Sequence, residues 1–231
     1  MALVQYGGGI VGMRGSIAGT VHSKNRYGNY VRARTTPVNP NTNRQSAMRN
    51  IIQQLSQAWS TILTATEHAA WEVFAAAIVR TNKLGATIKL TGFNHFIRAN
   101  AFLLQNGGTM VTAGPTTLNL PGADPTFSAS ASSASQNIAV TFDNTLDWAN
   151  EAGGLLGVYM SMPKSSGTSF IAGPYRRAGV IEGAGSPPSS PASIAAPFPI
   201  AVSQQVKVKG RIVRADARLS DPFYDQSGVG A

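Results

Sequence analysis

The chain has 231 residues, of which 43% are apolar and 13% charged, and it contains no cysteine. This length allows one large or two small domains, and the lack of cysteine excludes a disulfide framework and any Cys-ligated metal site. The N-terminal residues lack the basic segment and long apolar run of a secretory signal, and no stretch approaches the roughly 20 apolar residues of a membrane span. A soluble protein made in the cytoplasm is expected.

The net charge of +9 is unevenly distributed along the chain. Residues 1–114 hold eleven Lys and Arg against only Glu67 and Glu72, whereas residues 115–231 hold eight of each sign and are neutral overall. This asymmetry predicts a polyanionic partner or an acidic neighbouring subunit. A solvated basic face is the alternative interpretation.

Residues 1–36 are predicted to form an extended arm and a β-hairpin that turns at Asn25–Gly28. Its basic residues are interleaved with tyrosines, a combination typical of protein interfaces, of single-stranded nucleic-acid platforms and of edge strands kept soluble by charge. We expect a protein interface, with two prolines that extend the following segment. The predicted interface residues are Arg26, Tyr27, Tyr30, Arg32, Arg34, Pro37 and Pro40.

A helical unit is predicted over residues 37–108. Apolar residues at helical spacing indicate helices at about 43–63, about 65–79 and 92–105, with a short hairpin turning near Lys83–Gly85 before the third helix. Tryptophan and phenylalanine on these helices are expected to form a core. The predicted start signals are two capping boxes and one N-cap: Thr42 with Gln45, Thr64 with Glu67, and Thr91.

Residues 109–124 are rich in Gly, Thr, Pro and Asn and predict a linker. Beyond it, apolar residues alternate, as at Ile138, Val140 and Phe142, which indicates short strands. Residues 125–225 are therefore expected to form an antiparallel β-sandwich of immunoglobulin or fibronectin III kind, followed by a tail at 226–231. The predicted fold class is α+β with two domains: an N-terminal β-hairpin plus three-helix unit, then the sandwich.

The sequence predicts no catalytic residue, no cofactor-binding residue and no metal ligand. His22, His68 and His95 are the only histidines, and none has the spacing of a metal site. Neither a G-x-S-x-G elbow nor a P-loop occurs, and most C-terminal carboxylates fall at predicted strand ends, where Asp is an ordinary turn residue. The expectation is a protein without catalysis.

Two groups of residue runs carry a family resemblance. The first half contains RYGNYVRARTTPVNPNTNRQSAMR, QAWSTILTATEHAAWEVFA and LTGFNHFIRANAFLLQ, and the second half VYMSMPKSSGTSFIAGPYRRAGVIEG and KVKGRIVRADARLSDPF. These runs resemble an uncharacterised protein family encoded in tailed-phage and prophage genomes. The resemblance implies a structural role in the virion, on the capsid surface or in the neck and tail. It transfers no functional residues.

On this hypothesis the protein is a homo-oligomer located in the virion, and its partners are other virion proteins. Two alternatives stay open. The basic N-terminal half could bind nucleic acid, although no block of five or six basic residues occurs. The sandwich could instead recognise carbohydrate or a receptor, with Trp148, Tyr159 and Tyr175 as candidate stacking faces.

Overall fold

The computed structural model describes residues 2–36 and 38–230. It contains three helices and fourteen strands among these residues. In chain order they are β1 (Ala2–Leu3), β2 (Gly15–Ile17), β3 (Thr20–Asn25), β4 (Gly28–Ala33), α1 (Asn43–Thr61), α2 (Ala65–Ala77), β5 (Val79–Thr81), β6 (Thr87–Lys89), α3 (Gly92–Gln105), β7 (Ser128–Ser132), β8 (Asn137–Thr141), β9 (Leu155–Ser161), β10 (Lys164–Ser165), β11 (Tyr175–Glu182), β12 (Ala192–Ala195), β13 (Gln204–Val213) and β14 (Phe223–Gly230).

The first four strands form a small antiparallel sheet, called here the N-terminal sheet, in the order β1-β4-β3-β2. Its centre is the predicted hairpin, in which β3 and β4 pair up to Asn25 and Gly28. Gly28 has φ +115°, a conformation that favours glycine, and the Asn25 side chain accepts the Tyr27 N–H at 2.9 Å. The hairpin is confirmed, and β1 and β2 extend it on both sides.

The helices begin at their predicted caps. Both capping boxes are formed. The side-chain oxygens of Thr42 and Thr64 accept the backbone N–H groups of Gln45 and Glu67, and the backbone N–H groups of the two threonines donate to the side chains of Gln45 and Glu67. Thr91 caps α3, and the short β5–β6 hairpin lies between α2 and α3. The helices pack around buried aromatic side chains, because Trp71 and Phe96 are fully enclosed and meet edge to face at 5.6 Å.

The last eight strands form one sheet in the order β11-β9-β13-β14-β7-β8-β12, with β10 paired beside β13. All neighbouring pairs are antiparallel except β14 with β7, which run parallel. The sheet curls until its two end strands approach each other, and a Cβ added to Gly179 of β11 would lie 2.8 Å from Ile194 of β12. The result is nearly barrel-shaped, and it encloses a core that includes Ile138, Val158 and Val208.

A second core joins the helices to the outer face of this sheet. Leu155, Tyr159 and Val213 of the sheet belong to the same buried cluster as Trp71 and Phe96. Close approach of α3 depends on Gly157 of β9, where an added Cβ would lie 2.4 Å from Phe102 Cζ. The helices and the C-terminal sheet therefore share buried surface.

The α+β class is thus present, with a four-stranded sheet and helices preceding a large sheet. The structure differs from the expected wholly antiparallel C-terminal arrangement at the β14–β7 pair. Strand β14 also continues to Gly230, into residues expected to form a tail. The immunoglobulin or fibronectin III kinship of this sheet stays a prediction.

Candidate interaction surfaces

The predicted interface residues of the hairpin fall into two groups. Arg26 and Tyr27 form its tip, and both are exposed. Tyr30 and Arg32 lie two residues apart on β4 and therefore share one face of the strand. Arg34 follows β4, where its backbone N–H donates to Gly19 O at 2.8 Å. The structure thus brings four of these side chains to the hairpin but to two different parts of it.

The two predicted prolines belong to the joint between the N-terminal sheet and α1. Pro37 lies outside the described residues, and Pro40 is exposed. The joint is held to the helix by Arg49, whose guanidinium donates to Asn39 Oδ1 at 2.6 Å and to Asn41 Oδ1 at 3.0 Å. The sequence pattern missed Arg49, because it lies on the polar face of a helix where arginine is common. Its two asparagine partners flank Pro40 and fix the direction of the chain there.

The N-terminal sheet and the start of α1 lack buried residues. Leu55 is the first buried residue in the part of the chain that the structure describes, counting from the N-terminus. The four strands consequently have no core of their own. A sheet of this kind gains little hydrophobic stabilisation by itself, because isolated small sheets in water are marginal.

Among the described residues, the hairpin tip is tied to the rest of the fold by a hydrogen bond from Asn82. Asn82, in the turn between β5 and β6, donates its Nδ2–H to Tyr27 O at 2.8 Å. The Asn82 Oδ1 accepts the N–H groups of Leu84 and Ala86, which fixes the amide in place. The tip also borders a cleft lined by Leu90, Asn94 and Arg98. The sheet is therefore positioned by its tip and by the Arg49 joint.

The basic side chains that precede Leu55 have no carboxylate partner among the described residues. The ion pairs of the described chain use Arg80, Arg98, Arg214 and Arg218 instead. Most carboxylates are also engaged internally; for example, Asp124 accepts the Asp143 N–H and Asp225 accepts the Ala129 N–H. The basic residues concerned are Arg14, Lys24, Arg26, Arg32, Arg34, Arg44 and Arg49.

A second basic and aromatic surface lies on the outer face of the C-terminal sheet. Lys207, Lys209 and Arg211 alternate along β13 with the buried Val206, Val208 and Ile212. The Lys209 ammonium lies 4.3 Å from the Tyr159 ring centroid and 5.0 Å from that of Tyr175, within cation–π range. Burial lowers the pKa of Lys209, and the charge of Arg211 adds to that effect. The sequence does not single out this surface, because alternating charged and apolar residues are the ordinary pattern of a half-buried strand.

The candidate carbohydrate-stacking residues are largely enclosed. Trp148 is 2% exposed and Tyr159 8% exposed, so neither ring can lie flat on a sugar. Tyr175 is partly buried and faces Tyr224 at 5.8 Å between ring centroids. Packing therefore accounts for Trp148 and Tyr159.

At the Arg211 end of the basic face, three arginines from distant parts of the chain line one cleft. Arg80 of β5, Arg98 of α3 and Arg211 of β13 surround Asp221, and the cleft has a volume of about 660 Å³. Arg80 Nη1 lies 2.8 Å and Arg98 Nη2 3.1 Å from the same oxygen, Asp221 Oδ1. Burial, with the charge of Arg98, lowers the pKa of Arg211 to about 10.

The buried histidine beside this cleft is held neutral. His95 is 4% exposed, and burial together with the charges of Arg80 and Arg98 lowers its pKa to about 4. Its ring meets Phe74 edge to face at 5.4 Å between centroids. The residue therefore serves packing rather than acid–base exchange near neutral pH.

The described residues contain no group of three or more His, Cys, Asp or Glu side chains placed to hold a metal ion. Within the same residues, none of the helices has the length and apolarity needed to cross a membrane. Comparison with known proteins gave no matching family model, no matching curated protein and no matching solved structure. The resemblance to phage proteins therefore stays a prediction.

Proposed function

We propose that the protein is a non-catalytic structural component of a bacteriophage virion, on the capsid surface or in the neck and tail, and that it binds neighbouring subunits through its N-terminal sheet. The observation that carries the subunit-contact part is the absence of any buried residue before Leu55 in the described chain. A sheet without a core gains stability when another subunit covers it. The phage setting rests on the sequence resemblance alone.

The geometry of the sheet suits strand addition. Its edge strands are β1 and β2, and each offers backbone N–H and C=O groups on its free side. A strand from a neighbouring subunit would extend the sheet, with main-chain hydrogen bonds giving affinity and alternate side chains giving specificity. Tyr30 and Arg32 are residue types that anchor such interfaces.

In this proposal the protein is a homo-oligomer, and the C-terminal sheet is an immunoglobulin-like or fibronectin III-like module. Its two end strands nearly meet, so it offers little free edge for pairing. The helices connect this module to the N-terminal sheet, and the hydrogen bonds of Arg49 set the direction of the connection.

Deletion of residues 2–36 tests the proposal. The deletion removes no buried side chain and breaks one hydrogen bond between the hairpin tip and Asn82, so the remaining chain should lose only about 1 kcal/mol of unfolding free energy. Self-association in sedimentation experiments and incorporation into particles should both be lost. A matched control is Leu55→Ala in the full chain, which should cost about 2–5 kcal/mol and retain association under native conditions. Unchanged association of the truncated chain would contradict the proposal.

Nucleic-acid binding by the basic N-terminal half is the second candidate, and the unpaired charge before Leu55 favours it. It predicts that the affinity for an oligonucleotide falls by at least about a hundredfold between 50 mM and 200 mM salt, because phosphate contacts release counterions. Substitution of Arg32 and Arg34 by Gln should reduce that slope. A flat salt response would remove this candidate and leave the protein interface.

A further inference from the structure

The cleft formed by Arg80, Arg98 and Arg211 holds more positive than negative charge. Asp221 is the carboxylate that pairs with Arg80 and Arg98, and the Arg211 guanidinium donates instead to the carbonyl oxygen of Ser220 at 2.9 Å. The neighbouring His95 is neutral. Three guanidinium groups thus face one carboxylate, which leaves the cleft with a net charge of about +2, since arginine remains protonated in proteins.

Several donors in the cleft also lack hydrogen-bond partners among the described residues. They are Arg80 Nε, Arg80 Nη2 and Arg211 Nε, all of them buried. Buried donors without partners are rare in folded proteins and are costly, more so when they carry charge. The mutual repulsion of the three arginines adds to this cost, because their side chains are only partly solvated. The side chains of Arg80 and Arg98 are 17% and 24% exposed.

We propose that this cleft is a binding site for a phosphate-class oxyanion, held by the guanidinium groups of Arg98 and Arg211 in front of Arg80. A tetrahedral oxyanion offers several acceptor oxygens to planar guanidinium groups. Its negative charge also offsets the positive charge that Asp221 does not neutralise. The three arginines come from β5, α3 and β13, so regular elements of the fold position them. The three arginines of the site lie outside the N-terminal sheet that forms the proposed subunit interface.

Tyr27 places the hairpin tip at the rim of this cleft. The cleft opens beside the end of β13, where Lys209 precedes Arg211 on the same face of the strand. The phosphate is accordingly either a free ion or a phosphodiester of a single-stranded nucleic acid that continues along Lys209. The two sources share the chemistry at the arginines and differ in what else they touch.

Calorimetric titration of the full chain with inorganic phosphate at constant ionic strength tests the site. Saturable binding of one phosphate with Kd of about 1 mM or tighter is expected. Arg211→Gln and Arg98→Gln should each weaken binding by at least about tenfold, because each removes a charge-assisted donor. Arg176→Gln is the matched control, since it removes an exposed arginine of β11 that does not line the cleft, and this variant should bind phosphate like the unchanged chain.

The outcomes separate cleanly. The proposal would be overturned if the unchanged chain showed no saturable binding by about 10 mM phosphate. It would also be overturned if the cleft variants that fold bound phosphate as tightly as the unchanged chain. A short single-stranded oligonucleotide that competes with phosphate, and binds more weakly to Arg211→Gln, would identify a phosphodiester as the source. Phosphate binding that the oligonucleotide does not displace would identify free phosphate. Both of these results support the site.

Discussion

Replacement of Gly157 by alanine should destabilise the whole chain, because this glycine lets α3 approach the C-terminal sheet. The added methyl would lie 2.4 Å from Phe102 Cζ and 3.0 Å from Cε2. The Phe102 ring is 6% exposed and sits in the shared core, so it has little room to move. Overpacking of this kind costs about 1–3 kcal/mol, while loss of glycine flexibility in the unfolded chain returns about 0.4–1 kcal/mol.

The expected net loss is therefore about 1–2 kcal/mol of unfolding free energy, equivalent to a fall in Tm of about 2–8 °C for a chain of this size. Urea unfolding followed by circular dichroism and tryptophan fluorescence measures it. Trp59 and Trp71 report on the helices, and Trp148 reports on the sheet. A single coincident transition is expected because the two parts share buried surface.

A double variant tests the cause. Phe102→Leu removes the ring atoms that meet the new methyl, so Gly157→Ala with Phe102→Leu should lose at least about 0.5 kcal/mol less than the sum of the single losses. Gly228→Ala on β14 is the matched control, because a Cβ there meets nothing within 4 Å. The reasoning would be refuted if the losses of unfolding free energy from Gly157→Ala and Phe102→Leu were additive. Separate unfolding transitions for the helices and the sheet would refute it as well.

Two further predictions concern the helices. His95 has a pKa of about 4 in the folded chain, against an ordinary value of 6.5. As the pH falls, the unfolded chain therefore takes up this proton before the folded chain does. The free energy of unfolding should consequently drop between about pH 6.5 and pH 4, by up to about 3 kcal/mol. Urea titrations at stepped pH measure this, and His95→Leu should flatten the slope in that window. Thr91→Ala removes the oxygen that accepts the Asn94 N–H at the start of α3 and should cost about 1 kcal/mol; Thr91→Ser should retain most of the stability, and equal losses in the two variants would contradict the cap.

Local sequence signals predicted the helix starts correctly. A capping box is a contact between residues three apart, so Thr42 with Gln45 and Thr64 with Glu67 carry their geometry in the sequence. The hairpin turn at Asn25–Gly28 is equally local. Such features depend on neighbours in the chain and need no knowledge of the tertiary fold.

Contacts between distant residues could not be predicted in the same way. The parallel pair of β14 with β7 joins Val229 to Ala131, and the arginine cleft joins Arg80 and Arg98 to Arg211. The net charges of the two chain halves do not indicate this cleft, because two of its arginines belong to the basic half and one belongs to the neutral half. The alternation of Lys207, Lys209 and Arg211 was present in the sequence and could have indicated the basic face of β13.

The position of β14 has a consequence for synthesis. It is the strand between β13 and β7. Without it, the hydrogen-bonded sheet would be two separate groups of strands, β11-β9-β13 and β7-β8-β12. All the other strands that the structure describes precede β14 along the chain, so both groups of strands are synthesised before the strand that joins them. Until Phe223–Gly230 has been synthesised, the edges of β13 and β7 that pair with β14 have no hydrogen-bonding partner. In a chain truncated before Phe223 these two edges would remain unpaired. Chaperone engagement with the nascent chain should accordingly concentrate in that interval.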